Sequence, residues 1–296
     1  MSVPTKRSAF VTGRAQLFTA TAGTALPGDL NTSTTGLISL NQQTITLPTT
    51  PTGGNFTLTY NGATTAALDH DSTGSEVATA LNGLSTLGTG QVDVSGSASG
   101  PYVVSFSGSI GQAGYVETIS ITDSTTGGTG TESVASTRTF LGWTEGDTQL
   151  NIEETWAEHM VNEVLSAVDH SPESEAGTIS ATLSEATLAA WNRAMSGGTY
   201  TTQAAGATQT EYETLGFGGV ASEAAPVQLL IYAKNRQGYA QLWVCHRVVR
   251  QLNAGPSFAR GGKVVVPVNG TLQFDGTQTT GNGLWTAYNI TGLPTG

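Results

Sequence analysis

The sequence predicts a mainly β fold in two units, and three observations carry that reading. Charged residues make up only 11% of the 296-residue chain, glycine alone contributes 38, and Thr and Ser are abundant. β-branched residues suit strands and glycine suits turns. Strictly alternating runs such as Asn55-Phe56-Thr57-Leu58-Thr59-Tyr60 read as half-buried strands. Cations are spread unevenly: after Lys6, Arg7 and Arg14 none appears until Arg138, and the interval carries only acids, from Asp29 to Glu132. A charge change that sharp marks a separate unit. Its flanks, Asn31 to Gly36 with Thr49 to Gly54 and Thr125 to Ser136, are rich in Thr, Ser, Gly and Pro. The expected division is an inserted domain over residues 36–136 and a discontinuous domain over 1–35 and 137–296. The length suits two domains, and 38% hydrophobic residues suffice for packed cores.

Within the insert, the Asn55 to Tyr60 strand runs into Asn61-Gly62, a type I′ hairpin signal, with Ala63 to Leu68 returning. Ser72, Thr73 or Ser75 caps a helix whose apolar positions Val77, Ala80, Leu81 and Leu84 share one face. Gln91 to Ser95 is a strand, Gly96 to Gly100 a turn, and Tyr102 to Phe106 pairs back. Val116 to Ile121 is the last strand. The expected module is a compact α+β unit.

In the outer domain, Thr148 to Val168 reads as a long acidic hairpin and Thr178 to Leu183 as the next strand. Ser184 is the expected cap of a helix burying Leu188, Trp191 and Met195, with Gly197-Gly198 as its stop and Glu185 in its first turn. Thr187 stands where a capping box needs Glu or Gln. Val227 to Ala233 is an apolar strand with Pro226 at its start, Asn235 to Gly238 a turn, and Tyr239 to Val249 the return. Lys263 to Val268, Gly270 to Phe274 and Trp285 to Ile290 complete the β pattern.

Catalytic signals are weak. The four histidines do not pair at a metal spacing, although His159 and His170 sit among acids, and Asp69-His70-Asp71 reads as a solvated turn. Gly96-Ser97-Ala98-Ser99-Gly100 resembles a nucleophile elbow but runs into a strand instead of a helix. Gly127 to Gly130 lacks a phosphate-loop lysine, and the adjacent Glu153 and Glu154 face opposite sides of a strand. Cys245, the single cysteine, reads as a buried hydrophobe. No enzyme, metal or cofactor is expected. Neither a signal peptide nor a membrane span is apparent, which implies assembly in a cytoplasm.

Charge placement carries more weight. The net charge of −11 disfavours attraction to nucleic acid. Nine acids (Glu145, Asp147, Glu153, Glu154, Glu158, Glu163, Asp169, Glu173 and Glu175) run without a Lys or Arg between them. Cations gather downstream, at Arg236, Arg247, Arg250, Arg260 and Lys263.

The order Leu141-Gly142-Trp143-Thr144-Glu145-Gly146, acidic hairpin, Thr178-Ile179-Ser180-Ala181-Thr182-Leu183 and capped helix resembles the major tail tube protein of long, non-contractile-tailed bacteriophages. The stretch from Leu229 to Arg250 and the Val266 to Phe274 strand fit the same resemblance. The inserted cadence from Gly53 to Gly108 is similar to a module of structural proteins from phages of actinobacteria. The resemblance implies a β-sandwich or half-barrel with one flanking helix, six copies of which form a ring whose strands close into one wide β-barrel. It implies stacked rings, ordering of Met1 to Val11 and of the hairpin on stacking, and DNA passing through the lumen without specific binding. It implies tape measure, tail terminator and tail tip proteins as partners, and the virion tail as location. Glu145, Glu153, Glu154, Glu158 and Glu163 are the candidate acids, either lining the lumen or meeting basic groups of the next ring. The insert is expected to project outward, with host-surface glycans as its contact. A capsid decoration protein and a β-modular, carbohydrate-binding adhesin are the alternatives.

Overall fold

A computed structural model describes residues 5–11, 14–25, 40, 42–159, 169–195, 198–206, 210–216, 225–234, 240–251, 264–278 and 282–290. Among them the fold is mainly β, in several sheets of which none closes on itself through strand pairing. The chain opens with β1 (Thr5–Val11) and β2 (Gln16–Thr21). It continues through β3 (Gln43–Thr46), β4 (Gly53–Tyr60), β5 (Ala63–Thr64), β6 (Leu68–Asp69), helix α1 (Gly74–Asn82), β7 (Val92–Ser95) and β8 (Tyr102–Phe106). Helix α2 (Gly108–Gln112), β9 (Ser120–Thr126), β10 (Ser133–Ser136), β11 (Thr139–Trp143), β12 (Thr148–His159) and β13 (Asp169–Leu183) follow. The last stretch holds helix α3 (Leu188–Ala194), β14 (Thr199–Gln203), β15 (Tyr212–Gly216), β16 (Val227–Lys234), β17 (Ala240–Gln251), β18 (Val266–Leu272) and β19 (Trp285–Ile290).

Two compact units result: Met1–Thr24 with Phe140–Ile290, and Ala25–Thr139. The sequence reading started the insert later, at residue 36, and ended it earlier, at 136. Arg138 explains the second difference. The cation taken to reopen the outer domain is 2% exposed and bound into the inserted unit. Its Nη1 donates to Leu40 O (3.1 Å) and its Nη2 to Ala25 O (2.5 Å). Burial pulls its pKa down to about 10.

The inserted unit packs two small sheets, β10-β3-β8-β7 and β5-β4-β6 with β9 on the other side of β4. Phe56, Leu58 and Tyr60 alternate inward from β4, and Asn61 and Gly62 both take positive φ (48° and 83°), as a type I′ turn requires. Thr73 caps α1: its side chain accepts from Glu76 N (3.4 Å) while Glu76 Oε2 accepts from Thr73 N (2.7 Å). Thr73→Ala is therefore expected to lower the stability of this unit by about 1 kcal/mol, read from its urea unfolding midpoint. The expected strand over Val116 to Ile121 lies instead at β9. Buried Gln43 explains the shift, because its amide donates to Glu117 O and accepts from Ile119 N, both at 2.8 Å. Those bonds replace a ladder across that stretch. β10, read as part of a polar linker, pairs with β3 from Ser133↔Thr46 to Ser136↔Gln43.

In the outer unit the strand order is β1-β12-β13-β18-β17-β16-β2-β11, with β19 also pairing β17. Six inter-strand steps separate β1 from β2, about 29 Å in a flat sheet. Residues 12–15 span at most about 18 Å between them. The sheet must therefore curl. Its curl brings the end of β11 back to the end of β13, where Thr144 bridges Leu183. Glu145 N donates to Thr182 O (2.7 Å), and Ser184 N to Trp143 O (2.8 Å). Leu141, Ile179, Leu183, Ile231 and Val266 line the core that the curl encloses. β16 is buried on both faces, which explains its near-continuous apolar sequence. Its one polar interruption, Gln228, donates to Thr24 O (2.8 Å).

Several expectations change here. Met1 to Val11 was expected to order only on stacking, yet Thr5–Val11 pairs with β12 inside the chain. The hairpin return and the Thr178 to Leu183 strand are one 15-residue strand, β13, whose register shifts opposite Thr155/Trp156 to absorb Glu173, next to Pro172. The strands read at Lys263 to Val268 and Gly270 to Phe274 are one strand, β18. Gly270 does not break it but allows close approach: a Cβ there would lie 2.5 Å from Val248 Cγ1. The helix begins at Leu188, not after Ser184, because Thr187 caps it through Ala190 N (3.1 Å). The later start leaves Leu188 40% exposed and buries Ala190, Trp191, Ala194 and Met195. Arg250 donates to Arg193 O at the helix C-terminal end, where a cation is favoured. Gly197, the Asn235 to Gly238 turn and the hairpin tip lie outside the described residues.

Candidate functional site

The acidic hairpin is the longest paired element among the described residues. β1 lies against β12 from Thr5↔Glu154 to Val11↔Thr148, and β12 against β13 from Gln149↔Ser180 to His159↔Asp169. Leu150 and Ile179 anchor its base in the core. Alternation then fixes which residues share a face. Ile152, Glu154, Trp156 and Glu158 continue the Leu150 face of β12, while Glu153 stands on the other face. Glu154 and Glu175 are direct cross-strand partners, a like-charge pairing that destabilises a hairpin.

The candidate acids are thus distributed, not gathered. Glu145 is exposed in the turn after β11, and its backbone is tied to Thr182. Glu153 is exposed, with the β1 register placing Lys6 opposite it. Glu154 is half-buried on the opposite face, and Glu158 is exposed and opposite His170 in the ladder. Glu163 lies outside the described residues. Among the described residues no group of three or more His, Cys, Asp or Glu is arranged to hold a metal.

Around Glu154 the structure adds residues that the sequence did not single out as candidates. Glu154, Trp156, Glu173, Ser174 and Glu175 line an open groove of about 340 Å³ across the two strands. The bulge creates it by inserting Glu173 as an extra residue, which re-aims the acids around a half-buried indole. Trp156 in an acidic, alternating run was the available signal. Of the basic counterparts, Arg250 is committed to the end of α3, its guanidinium pKa lowered by burial. Arg236, Arg260 and Lys263 lie outside the described residues.

A second polar cluster sits where β18 and β19 share one edge of β17. His246 is 3% exposed, with Nε2 3.0 Å from Thr286 Oγ1. Asp275 caps its own turn, accepting from Thr277 N (3.1 Å), Thr277 Oγ1 (2.7 Å) and Gln278 Nε2 (3.1 Å). Burial lowers the His246 pKa and the Asp275 charge only partly opposes that. The unfolded chain therefore takes the proton first. The stability contributed by neutral His246 is present above about pH 6.5 and lost as pH falls below it. Between pH 7 and pH 5 the melting temperature of the outer unit is expected to fall more in the wild type than in His246→Gln.

Ser97 and Ser99 lie in the β7–β8 hairpin turn, and β8 follows, with no helix to aim a nucleophile. Cys245 is fully buried and its thiol is pushed up to about 12. In the inserted unit Phe56, Tyr60, Tyr102 and Phe106 are all core residues. The outward positions of β4 and β9 are instead Asn55, Thr57 and Thr59 facing Ser124, Thr122 and Ser120. Among the described residues no helix is long and apolar enough to cross a membrane. No protein-family model matches this chain, and no curated protein matches it.

Proposed function

We propose that the chain is a structural virion subunit that self-assembles into stacked hexameric rings, forming a phage tail tube through which the genome leaves. The observation that supports this best is the run β1-β12-β13-β18, built around a long hairpin and ending in β1, an edge strand among the described residues. The outer side of β1 offers backbone donors and acceptors as a template for another chain. Six copies, each adding four strands, would hold about 24, beyond the 16–18 that already leave an aqueous channel. Closure removes the exposed edges. In such a barrel, adjacent Glu153 and Glu154 divide between lumen and outer wall, so each copy turns the acids of one face of its β12 to the lumen, where they repel phosphate. Tape measure, terminator and tail tip proteins are the partners this reading supplies.

In the same reading the inserted unit is outward decoration. With Phe56, Tyr60, Tyr102 and Phe106 in the core, a glycan contact would rest on the Thr and Ser rows of β4 and β9 and on the half-buried Tyr115. Negative-stain electron microscopy of the concentrated chain tests the reading. Tubes with a central channel are the expected result. Globular particles alone, at every concentration and with an initiating tail tip added, would overturn it in favour of a decoration protein or an adhesin.

A further inference from the structure

Asn-Gly occurs four times in the chain, at Asn61-Gly62, Asn82-Gly83, Asn269-Gly270 and Asn282-Gly283. The dipeptide is reactive as well as turn-forming. The glycine main-chain nitrogen attacks the asparagine Cγ, because glycine has no Cβ to obstruct the approach. An N–Cγ bond forms, the side-chain nitrogen leaves as ammonia, and a five-membered succinimide remains. Water then opens the ring at either carbonyl. One opening gives aspartate. The other gives isoaspartate, in which the main chain runs through the former side-chain carbon. The sum is asparagine and water to acid and ammonia, with no oxidant or reductant. The step needs a free asparagine amide, an available glycine N–H and room for the two to turn toward each other.

Three of the four sites withhold those conditions. Asn82 Nδ2 donates to Ala78 O (2.9 Å) and Val92 O (2.7 Å), and its Oδ1 accepts from Gln91 N (2.9 Å) and Val92 N (3.1 Å). Gly83 N donates to Thr79 O (3.1 Å). Asn269 and Gly270 lie mid-strand in β18, in register with β13 on one side and β17 on the other. Gly283 is buried, its carbonyl accepts from Asp275 N (2.9 Å), and a Cβ on it would lie 2.2 Å from the Phe274 ring.

Asn61-Gly62 is open. Both residues are exposed, and nothing stands within 4 Å of a Cβ placed on Gly62. Ring closure requires Asn61 to leave its type I′ conformation (φ 48°), so the turn has to open first. Little holds it. β5 has two residues, giving the pairs Tyr60↔Ala63 and Thr59↔Thr64, with Thr65 N donating to Leu58 O behind them (2.9 Å). Opening so short a ladder costs less than unfolding the unit around it.

We infer that Asn61 is a deamidation site, the first of the four to react, and that its two products affect the inserted unit differently. Aspartate keeps the turn, because Asp-Gly also suits type I′. Isoaspartate adds a methylene to the main chain where loop length fixes the hairpin register. It thereby displaces Ala63, which packs against the core of the inserted unit, and parts the Thr59 and Thr64 hydroxyls, now 2.9 Å apart. The inference concerns the inserted unit alone and stands whatever the chain assembles into.

Incubation of the full chain at pH 8.5 and 37 °C, native and in denaturing urea, tests it. Chymotryptic peptide mapping by mass spectrometry follows each Asn-Gly, and isoaspartyl methyltransferase labelling measures isoaspartate. In the native chain Asn61 is expected to convert at least about tenfold faster than Asn82 or Asn269. In urea the four rates are expected to converge, since structure alone separates them. Fresh Asn61→Asp is expected to unfold at the wild-type midpoint of the inserted unit. Aged wild type is expected to lose midpoint in proportion to its isoaspartate. Asn61→Gly, which suits the turn but cannot cyclise, is expected to hold its own starting midpoint through the same incubation. Asn82, Asn269 or Asn282 reacting as fast as Asn61 in the native chain would overturn the site, as would an intact Asn61 once the urea sample has converted. An isoaspartate-rich chain with an unchanged midpoint, or an equal loss in Asn61→Gly, would overturn the effect on the turn.

Discussion

Trp191→Ala is expected to destabilise the outer unit by about 3–5 kcal/mol and to leave the inserted unit unaffected. Trp191 is 4% exposed and is the largest side chain by which α3 enters the core enclosed by the curled sheet. Truncating a buried indole removes its transfer free energy and leaves a cavity that its neighbours fill only in part. The surroundings of Trp191 resist collapse: Ala190 and Ala194 come from the same short helix, Met195 directly follows it, and its end is held by Arg250. A helix of seven residues has little stability of its own, so it depends on this face. Differential scanning calorimetry of the full chain reads the result. Two transitions are expected, and only the one assigned to the outer unit should move. A shift of both by equal amounts would mean that the chain unfolds as one cooperative body.

Tyr102→Ala is the reciprocal case, expected to cost the inserted unit about 3–5 kcal/mol while the outer transition stays in place. Tyr102 is fully buried in β8, lies 6.1 Å from the Phe56 ring, and its hydroxyl donates to Ser72 O at 2.5 Å just before α1. Burial raises its pKa, so it remains a donor at neutral pH. Tyr102→Phe separates the two contributions. It keeps the ring contact and removes one hydrogen bond, so its expected cost is about 1–3 kcal/mol, the range for leaving a buried carbonyl unsatisfied. Chemical denaturation of the three proteins side by side checks the order. A Phe variant as unstable as the Ala variant would place the stability in the hydroxyl bond and not in packing.

Local signals were legible in the sequence where one physical cause dominates. The Asn61-Gly62 turn follows from the need for positive φ at two successive positions. The inward row of Phe56, Leu58 and Tyr60 follows from the two-residue period of a strand, and the opposite facing of Glu153 and Glu154 follows from the same rule. The mainly β character follows from the abundance of Thr, Val and Gly. Segregation of acids and cations along the chain was visible without coordinates, although the unit boundary inferred from it fell short of Arg138.

Tertiary structure decided what depends on partners distant in sequence. Polar segments such as Ser120 to Thr126 and Ser133 to Ser136 have no apolar stripe to announce them, and they become strands because β4 and β3 offer them backbone partners. Gly270 and Pro172 look like breaks, yet the ladder passes through both, one by close packing on Val248 and the other by a register shift. The α3 start moved because two residues, Ser184 and Thr187, could each cap, and it is the Thr187 side chain that accepts from Ala190 N. The groove around Trp156 exists only because the register shift brings Glu173 and Glu175 beside Glu154, residues some twenty positions apart in the chain. Short-range periodicity thus set the element types and faces. Strand order, register and the sheet's curl came from long-range hydrogen bonding, which no local stretch of sequence encodes.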